Sequence, residues 1–478
     1  MTRAHPSSLL CVGALMLLTA SGTVIGSLVD DAPISIAPGE SIQPVIDAHP
    51  GGTAFLIKAG VHRLQTVRPK VGNAFIGEPG AVLSGARVLT AFQRAGPYWF
   101  TTGQRQTGST TAFGKPPQCD AAHPRCDHPE DLFVDNRPLR HVGAFESLTS
   151  GSWYFDYVAD RIYVADDPRG HLVETSVVSH AIFATGITGV TIRGLVIEKY
   201  ANPGQMGAVH ADGAVSWRIE GNEIRLNHGA GITLTVSTSC QLTANRIHDN
   251  GQLGIGAWNS ERLLVDRNEI SRNNFAGFDT SWEGGGTKFS WSRELIVRSN
   301  FVHHNWGKGL WTDGDNLDTL YEGNTTSQNT EHGIFHEISY AAIIRNNISM
   351  SNGWHGIVVA SSPNVEIYGN SVGGNGRTQI FARQDFSGRS GRYGPFELSN
   401  LNVHDNSITA NDGGAAGLMP QMGARGDASY YATKHNRFVH NTYDLRGAPT
   451  SPFIWLFRAV GESQWRAHGQ DVTGTFRR

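Results

Sequence analysis

Gly231-Ile-Thr-Leu-Thr-Val-Ser-Thr-Ser-Cys-Gln-Leu-Thr-Ala-Asn245-Arg-Ile-His-Asp-Asn-Gly-Gln-Leu-Gly254-Ile255 is one period of this sequence and the start of the next. A glycine followed by an apolar residue recurs at Gly207, Gly231, Gly254, Gly277, Gly309, Gly333 and Gly356, at intervals of 24, 23, 23, 32, 24 and 23 residues. An Asn-x-apolar marker keeps the same period at Asn222, Asn245, Asn268, Asn300, Asn346 and Asn370, and Asn324 holds the place between Asn300 and Asn346 with Thr326 where the apolar residue should be. A third short apolar run lies between the markers, as in Val215-Ser-Trp217-Arg-Ile219 and Val365-Glu-Ile367. Three short strands per coil, with Asn and Gly at the corners, describe an all-β single right-handed parallel β-helix. Asn and Gly tolerate the left-handed backbone that such corners need, and stacked Asn side chains can bond along a ladder. A leucine-rich repeat would demand a Leu-rich spacing that is missing.

Outward from these coils the pattern changes. Ser41 to Ala48 reads as a short amphipathic helix that covers the open apolar end of the stack, as a solenoid requires. Leu132-Phe-Val134, Trp153-Tyr-Phe155 and Ile162-Tyr-Val164 break the period and read as hairpin strands of an insertion, and Glu462 to His468 as a closing helix. The expected organisation is a signal peptide over 1–26, cap and first coils over 33–96, an inserted hairpin and loop region over 97–189, regular coils over 190–411, and irregular last coils with a C-terminal cap over 412–478. The signal follows from Arg3, the apolar stretch Leu9 to Ala20 and the small residues after it; that stretch is short for a spanning helix, and an N-terminal anchor is the alternative.

Composition agrees. With 57 Gly among 478 residues, only 17% charged residues and a net charge of −3, the chain has no basic face to recommend nucleic acid or an anionic membrane as partner. An oligo- or polysaccharide fits better, in an extracellular or periplasmic setting. Export makes a disulfide between Cys119 and Cys126 plausible in their Pro-rich loop, though the two could be unpaired or bind metal with His123 and His128. Cys240 falls in a strand and reads as packing.

The period also allows columns to be compared, because strand side chains alternate between interior and exterior. Ile232, Ile255, Phe278, Leu310, Ile334 and Ile357 form an inward column. The outward column three residues on reads Thr235, Trp258, Ser281, Asp313, Glu337, Ala360. Strands about 4.8 Å apart bring stacked acids to about 5 Å, the carboxyl separation of a retaining glycosidase, whereas an inverting enzyme needs roughly 6.5 to 9.5 Å. Like charges that close raise the pKa of one member, as a proton donor requires. The bland reading, two solvated surface acids, is weakened by the aromatic company of Trp258, Trp311 and Phe335, whose outward rings suit sugar faces unless an inserted loop buries them.

The long interval before Gly309 holds such a loop, Trp282-Glu283-Gly-Gly-Gly286-Thr-Lys288, in which the triple glycine reads either as a flexible lip or as a plain linker, and a second insertion runs from Asp385 to Phe396. Trp282, Glu283 and Arg383 complete the expected substrate contacts. His303, His304, His332, His336 and His355 cluster nearby without zinc spacing, and His336 should point inward. No cofactor is required by this pattern, although Asp279, Asp315 and Asp318 could hold Ca²⁺.

Gly309-Leu-Trp-Thr-Asp313 and Ile334-Phe-His-Glu337-Ile-Ser together resemble the paired motifs of the β-helical β-xylosidases, family 120 of the glycoside hydrolases, and the chain as a whole is similar to secreted, pectate-lyase-like β-helix proteins. The resemblance implies Asp313 as nucleophile and Glu337 as acid/base. Two other functions remain open. A polysaccharide lyase or uronate epimerase would use a base such as Lys288, Lys308 or Arg383, often with Ca²⁺. A non-catalytic carbohydrate-binding surface protein would keep the aromatics but have no use for stacked acids.

Overall fold

The computed structural model describes residues 32–110, 118–385, 388–421 and 424–478. The expected signal segment, 1–26, lies outside the described residues. From Pro33 onward the chain forms one unit. Three long sheets run its length, their strands pairing in parallel with the strand one coil away, except that Arg458–Val460 closes one sheet by folding back antiparallel on Phe453–Trp455. One sheet of thirteen strands begins at Ile34–Ile36, a second of thirteen begins at Gly60–Arg63 and ends at Thr475–Arg477, and one of twelve begins at Ile182–Thr185. Three parallel sheets wound by successive strands of one chain make a parallel β-helix. The coils keep stacking beyond Asn411, where the sequence loses its regular spacing, through Ala416–Pro420, Arg437–Val439 and Thr442–Asp444.

The coil stack passes directly from Ala74–Gly77 and Ala81–Ser84 to Thr191–Arg193 and Val196–Glu198. Strands between Ala86 and Ser176 leave the stack to build a four-stranded and a five-stranded sheet, in which Trp153 pairs antiparallel with Val164. Helix Ile42–Asp47 buries Ile42 and Ile46 against the first coil, and helix Glu462–Ala467 buries Trp465 at the other end. Cys119 and Cys126 are joined in a disulfide, and Cys240 is buried with a free thiol. Among the described residues no helix is long and apolar enough to cross a membrane.

Two asparagine ladders fix the coil register. One runs Asn222, Asn245, Asn268, Asn300, Asn324, Asn347, Asn370, Asn406, Asn441, and from Asn245 onward each side-chain oxygen accepts from the side-chain amide and backbone N–H of the Asn one coil earlier at about 3 Å, while that of Asn222 accepts from the Leu195 backbone N–H. The second runs Asn227, Asn250, Asn273, Asn305, Asn329, Asn352, Asn375. This corrects the sequence reading at one rung, which is Asn347 and not Asn346. Asn346 occupies the corner just before it, with φ +56, as Ala244, Arg267 and Ser299 do in their coils. The left-handed position therefore precedes each rung and accepts many residue types, while the rung itself must be Asn for its hydrogen bonds. With Asn347 on the ladder, Ser349 faces inward and Ile348 is exposed, and the buried Ser349 hydroxyl accepts from Thr326 and donates to the Gly356 carbonyl.

The ladder explains the glycine column too. A Cβ at Gly231, Gly254, Gly286, Gly309 or Gly333 would sit within 3.1 Å of a ladder amide nitrogen and, in the first four, within 2.9 Å of the next coil's backbone oxygen. We expect Asn273→Ala to strip partners from Asn250 and Asn305 in the dry interior, and to lower stability by about 3 kcal/mol from unsatisfied polar groups. A lower urea midpoint with an unchanged β-sheet circular dichroism spectrum would check it.

Candidate active site

Asp313 and Glu337 are register partners on adjacent parallel strands, Leu310–Asp313 and Ile334–Glu337. Alternation works as the sequence implies: Leu310, Thr312, Ile334 and His336 are buried inside the coil, and the acids emerge on the outer face with side chains 23% and 22% exposed. Beneath the acids the interior is polar. Tyr321 donates to the Thr312 hydroxyl at 3.2 Å, Thr312 bonds His336 Nδ1 at 2.8 Å, and His336 Nε2 bonds the Tyr340 carbonyl at 2.8 Å. Burial pushes the His336 pKa down to about 4, so a neutral ring serves as a strut of this chain rather than as a catalyst.

Trp311 and Phe335 do not offer faces to a ligand. Both are 2% exposed and pack with Val358 and Ala360 in a small apolar cluster on the outer face of the sheet. Cations cover them: Lys288 and Lys308 lie 4.2 and 4.3 Å from the Trp311 ring centroid, and Arg383 lies 5.2 Å from that of Phe335. The Trp311 indole N–H donates to Glu337 Oε2 at 3.2 Å, so this ring holds the acid in place.

Every cation here has an acid. Lys288 Nζ is 2.9 Å from Asp313 Oδ2 and donates to the Trp282 carbonyl at 2.7 Å. Burial opposes its charge, but Glu283 and Asp313 outweigh that and hold the Lys288 pKa up. Lys308 pairs with Glu331 at 2.7 Å, and Arg383 pairs with Asp385 at 2.9 Å while reaching to 4.0 Å from Glu337. Burial raises the Glu283 pKa, and the Gln205 amide donates to that carboxyl. Burial first, and the facing Asp313 second, push the Glu337 pKa up to about 7. Asp385 is also raised by burial. The result is two outward acids in register with opposite environments: one ion-paired with a buried lysine, the other holding its proton near neutrality.

The insertion before this coil is folded onto the stack. Phe278 does not enter the inward column; buried Thr287 takes that place opposite Ile255, because the column glycine of this coil is Gly286, and Phe289 enters the core two residues on, opposite Ala257. Gly277 serves elsewhere, at φ +78, where a Cβ would meet the His123 ring. The nine extra residues therefore precede the strand. Asp279 caps a one-turn helix, Thr280–Glu283, and Gly285 and Gly286 lie inside strand Gly285–Ser290, buried against Lys308 and Gly309 backbone. Neither a lip nor a linker, the triple glycine is a close backbone approach. Ser281 consequently leaves the outward column, and Phe289 opposite Thr312 puts Ser290 beside Asp313.

The other sequence candidates are spread around this centre. Trp282 is half-buried and meets the site through its carbonyl. Trp258 is 42% exposed, opposite Ser290 and two strands from Asp313. His332 packs on Phe335 and His355 on Phe381, whereas His303 lies on a different sheet and His304 at the corner after it. Asp279 caps its helix and Asp315 accepts from the Arg392 backbone. Among the described residues no group of three or more His, Cys, Asp or Glu is placed to hold a metal ion. Sequence reasoning missed Glu331 and Asp385. Glu331 carried a signal, since it stands 23 residues after Lys308, one coil away and of opposite charge.

Residues 207–372, which include both acids, match the family model described as right handed beta helix region. The fold is a right-handed parallel β-helix. The structure of XylC in complex with xylose is similar to it over 91% of this chain and 82% of that one, with a TM-score of 0.67 at 14% identity. The Azotobacter vinelandii mannuronan C-5 epimerase AlgE6 A-module matches at a TM-score of 0.48 and 12% identity, covering 91% and 92%. PfbA, a surface adhesin of Streptococcus pneumoniae, matches at 0.49 and 10%, covering 86% and 90%. No curated protein sequence matches the chain. These identities speak for the fold alone.

Proposed function

We propose that the protein is an exported carbohydrate-active enzyme, a retaining glycoside hydrolase with Asp313 as nucleophile and Glu337 as acid/base. The observation that carries this reading is the pair itself: outward carboxyls in register on neighbouring strands, with Glu337 pushed up to about 7. Neighbouring strands in register hold such groups at about the 5 Å that double displacement uses. Trp311 N–H occupies Glu337 Oε2, which leaves Oε1 to carry the transferable proton. Glu337 gives that proton to the leaving oxygen as Asp313 bonds to the anomeric carbon. It then withdraws a proton from the water that cleaves the glycosyl ester and frees Asp313. The disulfide suits an oxidising compartment outside the cytoplasm. The motif likeness to family 120 and the fold shared with xylose-bound XylC make xylosides the first substrates to try.

Lys288, Lys308 and Arg383 near the acids favour one other reading, a lyase or epimerase acting on uronates. Against it, each cation is already paired with a carboxylate. The test is a screen of neutral and uronic oligosaccharides for released reducing sugar, with absorbance for unsaturated products and proton NMR of the first-formed anomer. Hydrolysis of a neutral glycoside with retention is expected. Unsaturated or C5-inverted uronate product would replace this reading with the second.

A further inference from the structure

The acid column continues away from the catalytic pair, and its next members are built differently. In register it reads Asp212, Thr235, Trp258, Ser290, Asp313, Glu337, Ala360, Arg383. On the far side of Glu337 it is closed: Arg383 follows after the small Ala360, ion-paired with Asp385. On the near side it is open. Ser290 is a small step beside Asp313, and Trp258 follows, 42% exposed. Trp291, at the turn after Ser290, is 37% exposed, and the two indoles lie with ring centroids 5.3 Å apart and 32° between planes. These are the two exposed tryptophans among the large exposed apolar side chains, and they lie side by side on the face that carries the acids.

The pair is held as a platform. Trp291 N–H of the backbone donates to the Gly314 carbonyl at 2.7 Å, tying the turn to the residue after Asp313. Arg392, from hairpin Ser390–Pro395, lies 4.5 Å over the Trp291 ring and donates to Asn259 at 3.1 Å, so it covers that face of Trp291 and bounds the pair on one side. Beyond Trp258, Thr235 donates to Asp212 Oδ1 at 2.9 Å and leaves that carboxyl's other oxygen to accept from a ligand. A flat apolar surface, a polar acceptor at its edge and a rigid sheet beneath it match a pyranose, which is apolar on its face and hydroxylated at its rim.

Resting on the hydrolase reading, we propose that Trp258 and Trp291 form a distal sugar subsite, and that the substrate is an oligosaccharide lying across the strands from the acid pair toward Asp212. Two strand spacings, about 10 Å, separate Trp258 from Asp313, more than the single ring between the acids can span. The enzyme therefore distinguishes chains by length, and the preference resides in these two rings.

The experiment uses xylo- and cello-oligosaccharides of one to six units and the corresponding aryl monosaccharides on the full chain. The ratio of kcat/KM on the hexamer to that on the aryl monosaccharide should drop about tenfold in Trp258→Ala, equivalent to 1.4 kcal/mol. Trp258→Phe, which keeps a ring, should recover most of it. Binding of the same oligomers to Asp313→Asn, followed by tryptophan fluorescence, separates this proposal from the hydrolase reading. If no glycoside is turned over but affinity rises with chain length and falls in Trp258→Ala, the subsite stands and the hydrolase reading fails. If turnover proceeds with equal preference for all lengths, or Trp258→Ala leaves the ratio and the binding alone, the subsite is overturned. Sedimentation of both forms covers the remaining occupant: a dimer that dissociates on Trp258→Ala would assign the rings to a second copy and also overturn it.

Discussion

Replacing Asp313 by Ala is expected to lower kcat by at least roughly 10⁴-fold on every glycoside, because without this carboxylate no glycosyl-enzyme bond can form. Protein stability should change little in comparison. Asp313 stands on the outer face, and its loss leaves Lys288 still hydrogen-bonded to the Trp282 carbonyl and seated against Trp311. A single-turnover assay with a fluorinated glycoside gives a sharper readout than rate alone. The wild-type chain should gain the mass of one glycosyl group on the peptide containing Asp313, and Asp313→Ala should gain none. Full activity in the variant would send the search for the nucleophile elsewhere.

Glu337 carries the second large effect, and it has a pH signature. As general acid it acts protonated, so activity should fall as pH rises through about 7. Glu337→Ala is expected to cost about 10²- to 10⁴-fold on sugars with poor leaving groups and far less on activated aryl glycosides, which leave without a proton. Azide should then raise the variant's turnover by attacking the anomeric carbon of the ester, giving a glycosyl azide and free Asp313. Stability moves in a related way. The folded-state value lies above the ordinary glutamate value, so the fold binds this proton more tightly than the unfolded chain does. That contribution is complete below the unfolded value, declines as pH rises and is gone above about 7. Glu337→Gln should flatten the urea midpoint between about pH 4.5 and pH 7. A midpoint with the same slope in both forms would show that Glu337 titrates normally.

Much of this was legible from spacing because a solenoid converts sequence offset into spatial adjacency. Asp313 and Glu337, 24 residues apart, are neighbours for that reason alone. What misled were places where two rules compete. Asn346 satisfies the Asn-x-apolar pattern through Ile348, but ladder hydrogen bonds outrank one apolar side chain, and Asn347 takes the rung. The intervals from Asn324 to Asn347 and from Asn347 to Asn370 are both 23, and that evenness was the signal. Gly277 satisfies the glycine-apolar pattern within a longer loop, while the column needs a glycine where the Asn305 amide packs, and that is Gly286. Trp311 and Phe335 are outward by alternation, but outward is not exposed when Lys288, Lys308 and Arg383 arrive from three different coils to lie on them. No single period contains that information.

The rungs have a consequence for how such a protein can change. Asn273 bonds Asn305 across 32 residues with the same geometry by which Asn250 bonds Asn273 across 23. Chain length between rungs is thus a free variable, while the height of each strand in the stack is not. Segments can be lengthened, exchanged or grafted at the coil corners without shifting Asp313 against Glu337 by a fraction of a bond. The machinery that breaks the bond and the walls that choose the sugar are separately inheritable, so relatives could diversify their diet by corner insertions alone.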